Sequence, residues 1–247
     1  MREIIDVQFD IIIYLPKVTF ITYADFCHRL EKALKVYQHC FDPKMTWYLL
    51  KNTVKVKPEA LVHSPDGFTE FGLKKLSFAH KKIDKEGDTL ISFIDGEHNT
   101  FGKVITYDAS KSLDNSFVQS NIDFFFTEPN EPQILKQITF FVTELAKVFT
   151  DSYIEIDLMQ TFSKVNALFV KRIGVSLIAY IPSPLKASDY PEAHQVIPID
   201  KDDKQVGTVI VSLDHLPSIE NTEDVKTINR IDLRLRDADL LPIRSDL

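Results

Sequence analysis

Two aspartates one residue apart, Asp237 and Asp239, stand near the end of this chain in TINRIDLRLRDADLLP, residues 227–242. Carboxylates at that spacing can hold a divalent cation through oxygen ligands. They can equally cap the end of the last element and form an Asx-type turn before Leu240-Leu241-Pro242. No third carboxylate follows at a fixed spacing, and the turn is the favoured reading. A second acidic run, Asp202-Asp203-Lys204 with Asp200 nearby, formally fits the D-x-K by which some nucleases hold Mg²⁺ and activate water. Its surroundings, IDKDDKQVG, read instead as a hairpin turn between two strands, where exposed charges are expected.

Other catalytic patterns are missing. No two glycines form a G-x-G, so a dinucleotide fingerprint is absent. Gly67 and Gly72 have the step of a phosphate loop, but Leu73 stands where its lysine belongs, which leaves a turn into a helix. The seven histidines include no H-x-H or H-x₃-H spacing, and the two cysteines form no C-x₂-C, so neither a metal nor another cofactor is expected. No G-x-S-x-G elbow or Cys–His signature marks a nucleophile.

The elements that would position any site follow from apolar periodicity. Residues 5–15 read as a buried strand, and 22–41 as a helix capped by Thr22 with Phe26, Leu30, Ala33, Leu34, Tyr37 and Phe41 on one face. A strand at Trp47–Leu50, a short helix from Pro58, a helix over 69–84 and strands at 89–94 and 101–107 complete this series. A similar order then restarts. A strand at 117–126 precedes a helix at 131–149 with Pro132 in its first turn. Strands at 152–158 and 175–181, a short helix around Pro191, and strands at 196–199 and 206–213 follow, with 161–172 left ambiguous. The last element, 223–237, carries Thr222 as a cap, but Ile231, Leu233 and Leu235 alternate, leaving helix and strand both open.

The two series overlay. A shift of 108 carries the six apolar positions of the first helix onto Ile134, Ile138, Phe141, Val142, Leu145 and Phe149. A shift of 105 aligns residues 94–105 with 199–210 through a shared ID-x₅-[FV]-G-x-V-I. Internal duplication and the chance alignment of two amphipathic helices both explain this. The predicted class is α+β: two similar layers of mostly antiparallel strands packed with helices. The halves, 1–112 and 113–247, would meet at the polar stretch 108–116 and pack as one unit.

Bulk composition narrows the setting. A net charge of −7 repels nucleic-acid phosphates and favours a basic partner. Cys27 and Cys40 lie in one predicted helix, about 20 Å apart, too far for a mutual disulfide. That suits a reducing compartment. The charged N-terminus lacks a signal peptide's apolar run, and no stretch is long and apolar enough to span a membrane, so a cytoplasmic location is expected. Acidic residues gather at predicted turns. A solvated rim is the ordinary reading, and a negative face for a basic protein is the sharper one. On the sharper reading the candidate partner contacts are Asp95, Glu97, Asp200, Asp202, Asp203, Asp237 and Asp239.

From Arg172 to Leu241 the chain resembles the C-terminal half of the immunity protein 52 family. The resemblance rests on Tyr180 and Pro182, Pro191 and Ala193, Gly207 to Ser212, and Asn229 to Pro242, in that order and spacing. It implies an antitoxin that binds and neutralises a cognate nuclease effector, typically restriction-endonuclease-like, of a type VI-like interbacterial secretion system. The partner would be that protein toxin, without nucleic acid or membrane, and the chain would not be an enzyme. Plugging the nuclease cleft with phosphate-mimicking carboxylates and blocking a rearrangement from elsewhere both stay open. The alternative is an enzyme with an unrecognised site between the two halves.

Overall fold

The computed structural model describes residues 6–50, 58–95, 103–129, 133–158, 168–218 and 220–247. The chain gathers into two compact units, a central one of Leu15–Thr127 and a terminal one of Met1–Tyr14 with Glu128–Leu247. Both combine helices with antiparallel strands, so the α+β class expected from the sequence is the one observed.

In the central unit, helix α1 (Tyr23–Cys40) starts where Thr22 accepts a hydrogen bond from the Asp25 amide at 3.0 Å. That bond satisfies one of the four amides a helix start leaves unpaired. Strands β2 (Trp47–Leu49), β3 (Leu61–Ser64) and β4 (Gly67–Phe68) precede α2 (Glu70–Glu86). Then come β5 (Asp88–Asp95), β6 (Val104–Lys111) and β7 (Val118–Pro129). Within the unit these strands lie in the order β7-β6-β5-β2-β3-β4. Both glycines of the rejected phosphate loop are structural. Gly67 turns β3 into β4, and a Cβ on Gly72 would stand 2.3 Å from the Val62 carbonyl oxygen. The hairpin β3–β4 has no counterpart in the sequence reading, because four and two residues are too few to show a period of two.

Alternation divides the strands into two faces. One face packs on the helices: Phe26 stacks on Tyr107 at 4.4 Å, and Tyr37 meets Trp47 at 5.2 Å and Phe124 at 5.7 Å. Trp47, Tyr107 and Phe124 are fully buried. Residues 112 and 113, the expected boundary between halves, lie inside this unit in the turn from β6 to β7.

The terminal unit begins with β1 (Asp6–Val18), of which residues up to Tyr14 belong to it. It continues through α3 (Ile134–Val148), β8 (Tyr153–Leu158), β9 (Ile178–Ile181), β10 (Gln195–Lys201), β11 (Lys204–Val211) and α4 (Thr222–Asp237). Its strand order is β10-β11-β9-β8-β1. The α4 residues Ile231 and Leu235 share a buried cluster with Ala179, Ile181 and Ile210. Contacts of α3 with β9, β10 and β11 supply another layer. Strand β9 is consequently buried at all four residues, and its run IAYI lacks the alternation of a half-exposed strand. The hairpins aligned by the 105-residue shift hold different places: β5–β6 lies between β7 and β2, whereas β10–β11 ends its unit's order.

The last element is a helix. Asp224, Ile228, Ile231, Asp232 and Leu235 are buried at helical spacing, while Leu233 is exposed. Its cap is Asn221, whose side chain accepts from the Glu223 amide at 3.1 Å, and not Thr222. The short helix expected around Pro191 sits earlier, at Ala187–Asp189. Proline disfavours helical dihedrals in the residue before it, so the turn ends at Tyr190. Pro132 and residues 159–167 lie outside the described residues.

The phrases that mark the C-terminal stretch act as scaffold. A Cβ on Gly207 would stand 2.1 Å from the Tyr180 hydroxyl, which donates to the Thr150 carbonyl at 2.8 Å. Buried Thr208 donates to the Ser183 carbonyl and accepts from the Leu185 amide, both at 2.9 Å. Gly207→Ala is therefore expected to lower stability by about 1–3 kcal/mol through overpacking. A urea midpoint equal to wild type would show that the tyrosine ring moves aside without cost.

Candidate protein-interaction site

The acidic residues singled out in the sequence do not form one face. Asp95 ends β5 on the helix-covered side and is only 4% exposed, which removes it as a surface contact. Strand alternation decides this, since Asp95 shares parity with buried Phe93 and Ile91. Glu97 lies outside the described residues. Asp200, Asp202 and Asp203 are exposed in the β10–β11 turn. Asp202 and Asp203 take φ values of 51° and 59°, the left-handed pair that a two-residue hairpin turn requires. Lys201 and Lys204 flank them, so three carboxylates face two ammonium groups.

Asp237 and Asp239 are exposed at the end of α4. Asp239 is left-handed at φ 57°. The Leu240 amide bonds back to the Leu235 carbonyl at 2.8 Å, and the Asp239 amide to that of Arg236 at 2.9 Å. These two bonds are the Schellman helix stop. The Asp237 carboxylate is held by its neighbour Arg236 at 2.5 Å. The Asp-x-Asp pair is thus the end of a helix. Among the described residues, no group of three or more His, Cys, Asp or Glu is placed to hold a metal ion. Neither Cys27 nor Cys40 is in a disulfide, and no described helix is long and apolar enough to cross a membrane.

Within the terminal unit a groove of about 530 Å³ runs along α3 beside β10 and β11. Its lining includes Lys136, Phe140, Glu144, Lys147, His194 and Asp214. Lys147 pairs with Glu144 at 2.6 Å, and Asp214 with His215 at 2.7 Å. The other ring nitrogen of His215 meets Asp224 at 3.1 Å. The Asp214 hydrogen bond, aided by Asp224, holds His215 above its ordinary value. Both nitrogens are occupied, so this imidazole is not poised as a general base.

The feature that sequence reasoning missed is the other face of the central sheet. Register places Tyr48 opposite Ile94, Ile94 opposite Val104, and Val104 opposite Phe125. These four side chains form an apolar row across β2, β5, β6 and β7, about 14 Å long at ordinary strand spacing. Phe125 is 37% exposed and the other three are half-buried. Leu50 (41%) and Leu90 (66%) add exposed aliphatic surface. Three carboxylates share the face: Asp88, Asp108 opposite Leu90, and Asp123 opposite Thr106. No lysine or arginine occupies its described positions on β5, β6 or β7. Partial burial, and then the nearby Asp88, push the Asp108 carboxyl up. The signal available was outward alternation in LxSxI (90–94), VxTxD (104–108) and NxDxF (121–125).

Fold and surface together define an α+β protein with an open, acidic, partly apolar sheet face. No protein-family model and no curated protein matches this chain. Among solved structures it is similar to a T6SS protein of Pseudomonas aeruginosa, with 10% identity and a TM-score of 0.49 over 94% of this chain and 73% of that one. A likeness of that degree carries no argument about function.

Proposed function

We propose that this protein is a non-enzymatic immunity protein, which binds a cognate nuclease toxin of a type VI-like secretion system and neutralises it in a tight complex. The supporting observation is the display of acidic side chains on a chain of net charge −7. Asp200, Asp202, Asp203, Asp237 and Asp239 are all exposed, on backbone held by a tight hairpin and a helix stop. Nucleases that grip phosphate present basic surface, and complementary potential raises the rate of encounter. The C-terminal phrases that resemble the immunity protein 52 family, Tyr180 with Pro182 and Asn229 to Pro242, support a nuclease toxin as that partner.

The β10–β11 turn is proposed to act through steering. Reversing Asp202 and Asp203 to Lys is expected to slow association with the nuclease about tenfold at low salt and to flatten its salt dependence. Stopped-flow measurement at two ionic strengths reads both. Association unchanged at low salt would eliminate this turn as the steering site.

A further inference from the structure

We infer that the open face of the central sheet, centred on Ile94, Val104 and Phe125 and bordered by Asp88, Asp108 and Asp123, is the surface on which a basic protein partner docks. The inference rests on the inhibitor reading for the identity of that partner, the nuclease. It moves the main contact away from the exposed turns.

An antiparallel sheet with one face on its helices ordinarily turns polar side chains outward. This one does so only in part. Its outward positions mix Thr106, Ser92 and Asn121 with a continuous apolar row and the exposed Leu90. Single exposed hydrophobic residues need no explanation, but a contiguous row rimmed by polar groups is the composition of an interaction site. The aromatic ends of the row, Tyr48 and Phe125, are residue types enriched at such contacts.

Charge selects among the occupants. The described outward positions on β5, β6 and β7 carry Asp88, Asp108 and Asp123 but no lysine or arginine, and Asp123 accepts from the Asn121 side-chain amide at 3.1 Å. A second copy laid face to face would set these carboxylates against their own kind, and like charges across an interface are costly. Nucleic acid is repelled by the same charges. A basic surface with an apolar centre would cover the row and bring cations to the aspartates. Burial and then the nearby Asp88 push the Asp108 carboxyl up, and such a cation would offset the Asp88 contribution.

The test uses the full chain and the product of the gene adjoining its own, assayed as a nuclease, with binding followed by surface plasmon resonance and activity by DNA cleavage. Sedimentation of the free chain accompanies it, and circular-dichroism melting verifies the fold of each variant. Leu90→Ala with Phe125→Ala is expected to weaken binding about thirtyfold or more, mainly through faster dissociation. Asp108→Asn with Asp123→Asn alters no shape and is expected to weaken it about tenfold. Wild-type binding that both folded variants retain in full would overturn this face and leave the inhibitor reading standing. No wild-type binding, with cleavage undiminished, would overturn both. Self-association of the free chain that Phe125→Ala abolishes would replace the proposed occupant by a second copy.

Discussion

Replacing Arg244 with alanine is expected to destabilise the chain by about 3 kcal/mol, the lower end of what removing one partner of a buried ion pair costs. The lower end applies because the Arg244 side chain keeps 35% exposure, whereas that of Glu155 has only 3%. The guanidinium meets Glu155 at 2.7 Å, donates to the Tyr14 hydroxyl, and donates to the Arg172 carbonyl at 3.2 Å. The Tyr14 hydroxyl in turn donates to Glu155 at 3.1 Å. One residue near the C-terminus therefore ties the tail to β8 and β1. The tail is also bonded to residues 171–173, through Arg244 N to the Lys171 carbonyl at 2.8 Å and Ile173 N to the Pro242 carbonyl at 3.1 Å.

Without Arg244, Glu155 is a buried carboxylate with one hydroxyl donor, and burial already pushes it up. It would take a proton, so the loss should be larger at pH 8 than at pH 5. Adding Glu155→Gln should recover part of it, because the uncompensated charge is then gone. Urea midpoints of the single and double variants read this directly. A single variant within about 0.5 kcal/mol of wild type would mean that the pair contributes no more than an ordinary surface contact.

The second large effect belongs to Asp232, buried on the inner side of α4 at 5% exposure. Its Oδ1 accepts from the Val175 amide at 2.8 Å. Burial pushes it up to about 7 from an ordinary 3.8, against the pull of that amide and with help from Glu155. The folded chain therefore keeps a proton that the unfolded chain releases. This group's contribution is fully present below about pH 4 and is lost as pH rises towards 7. The loss is on the order of 4 kcal/mol, at 1.36 kcal/mol for each unit between 3.8 and 7. Asp232→Asn keeps the shape and the acceptor but cannot ionise. It should match wild type near pH 4 and exceed it by a few kcal/mol at pH 8. Parallel stability profiles for the two proteins from pH 4 to 8 would contradict the assignment.

Neither prediction was visible in the sequence. Arg244 and Glu155 are 89 residues apart, and Asp232 stands 57 from Val175. No local pattern announces such links. Local patterns did reveal α1, whose Thr22 cap and apolar face at helical spacing are those observed. The Asp-x-Asp phrase was legible as a stop for the same reason, because a Schellman turn is built from consecutive residues. Pro191 misled, since a proline that can open a helix also closes the turn before it. Asp95 misled because a carboxylate beside a predicted turn looks exposed until strand parity places it under α1 and α2. The open sheet face was hidden in the same way. Alternation shows that β5, β6 and β7 have two faces, but only the packing of Phe26 on Tyr107 and Tyr37 on Phe124 shows which is covered.

The central proposal is that this chain captures and silences a nuclease. Calorimetric titration of the folded chain against the product of the gene adjoining its own, with DNA cleavage assayed on the same samples, tests it most directly. Tight stoichiometric binding, with cleavage lost as the two proteins reach equivalence, is the predicted result. No heat of binding and undiminished cleavage, with both proteins folded, would contradict it.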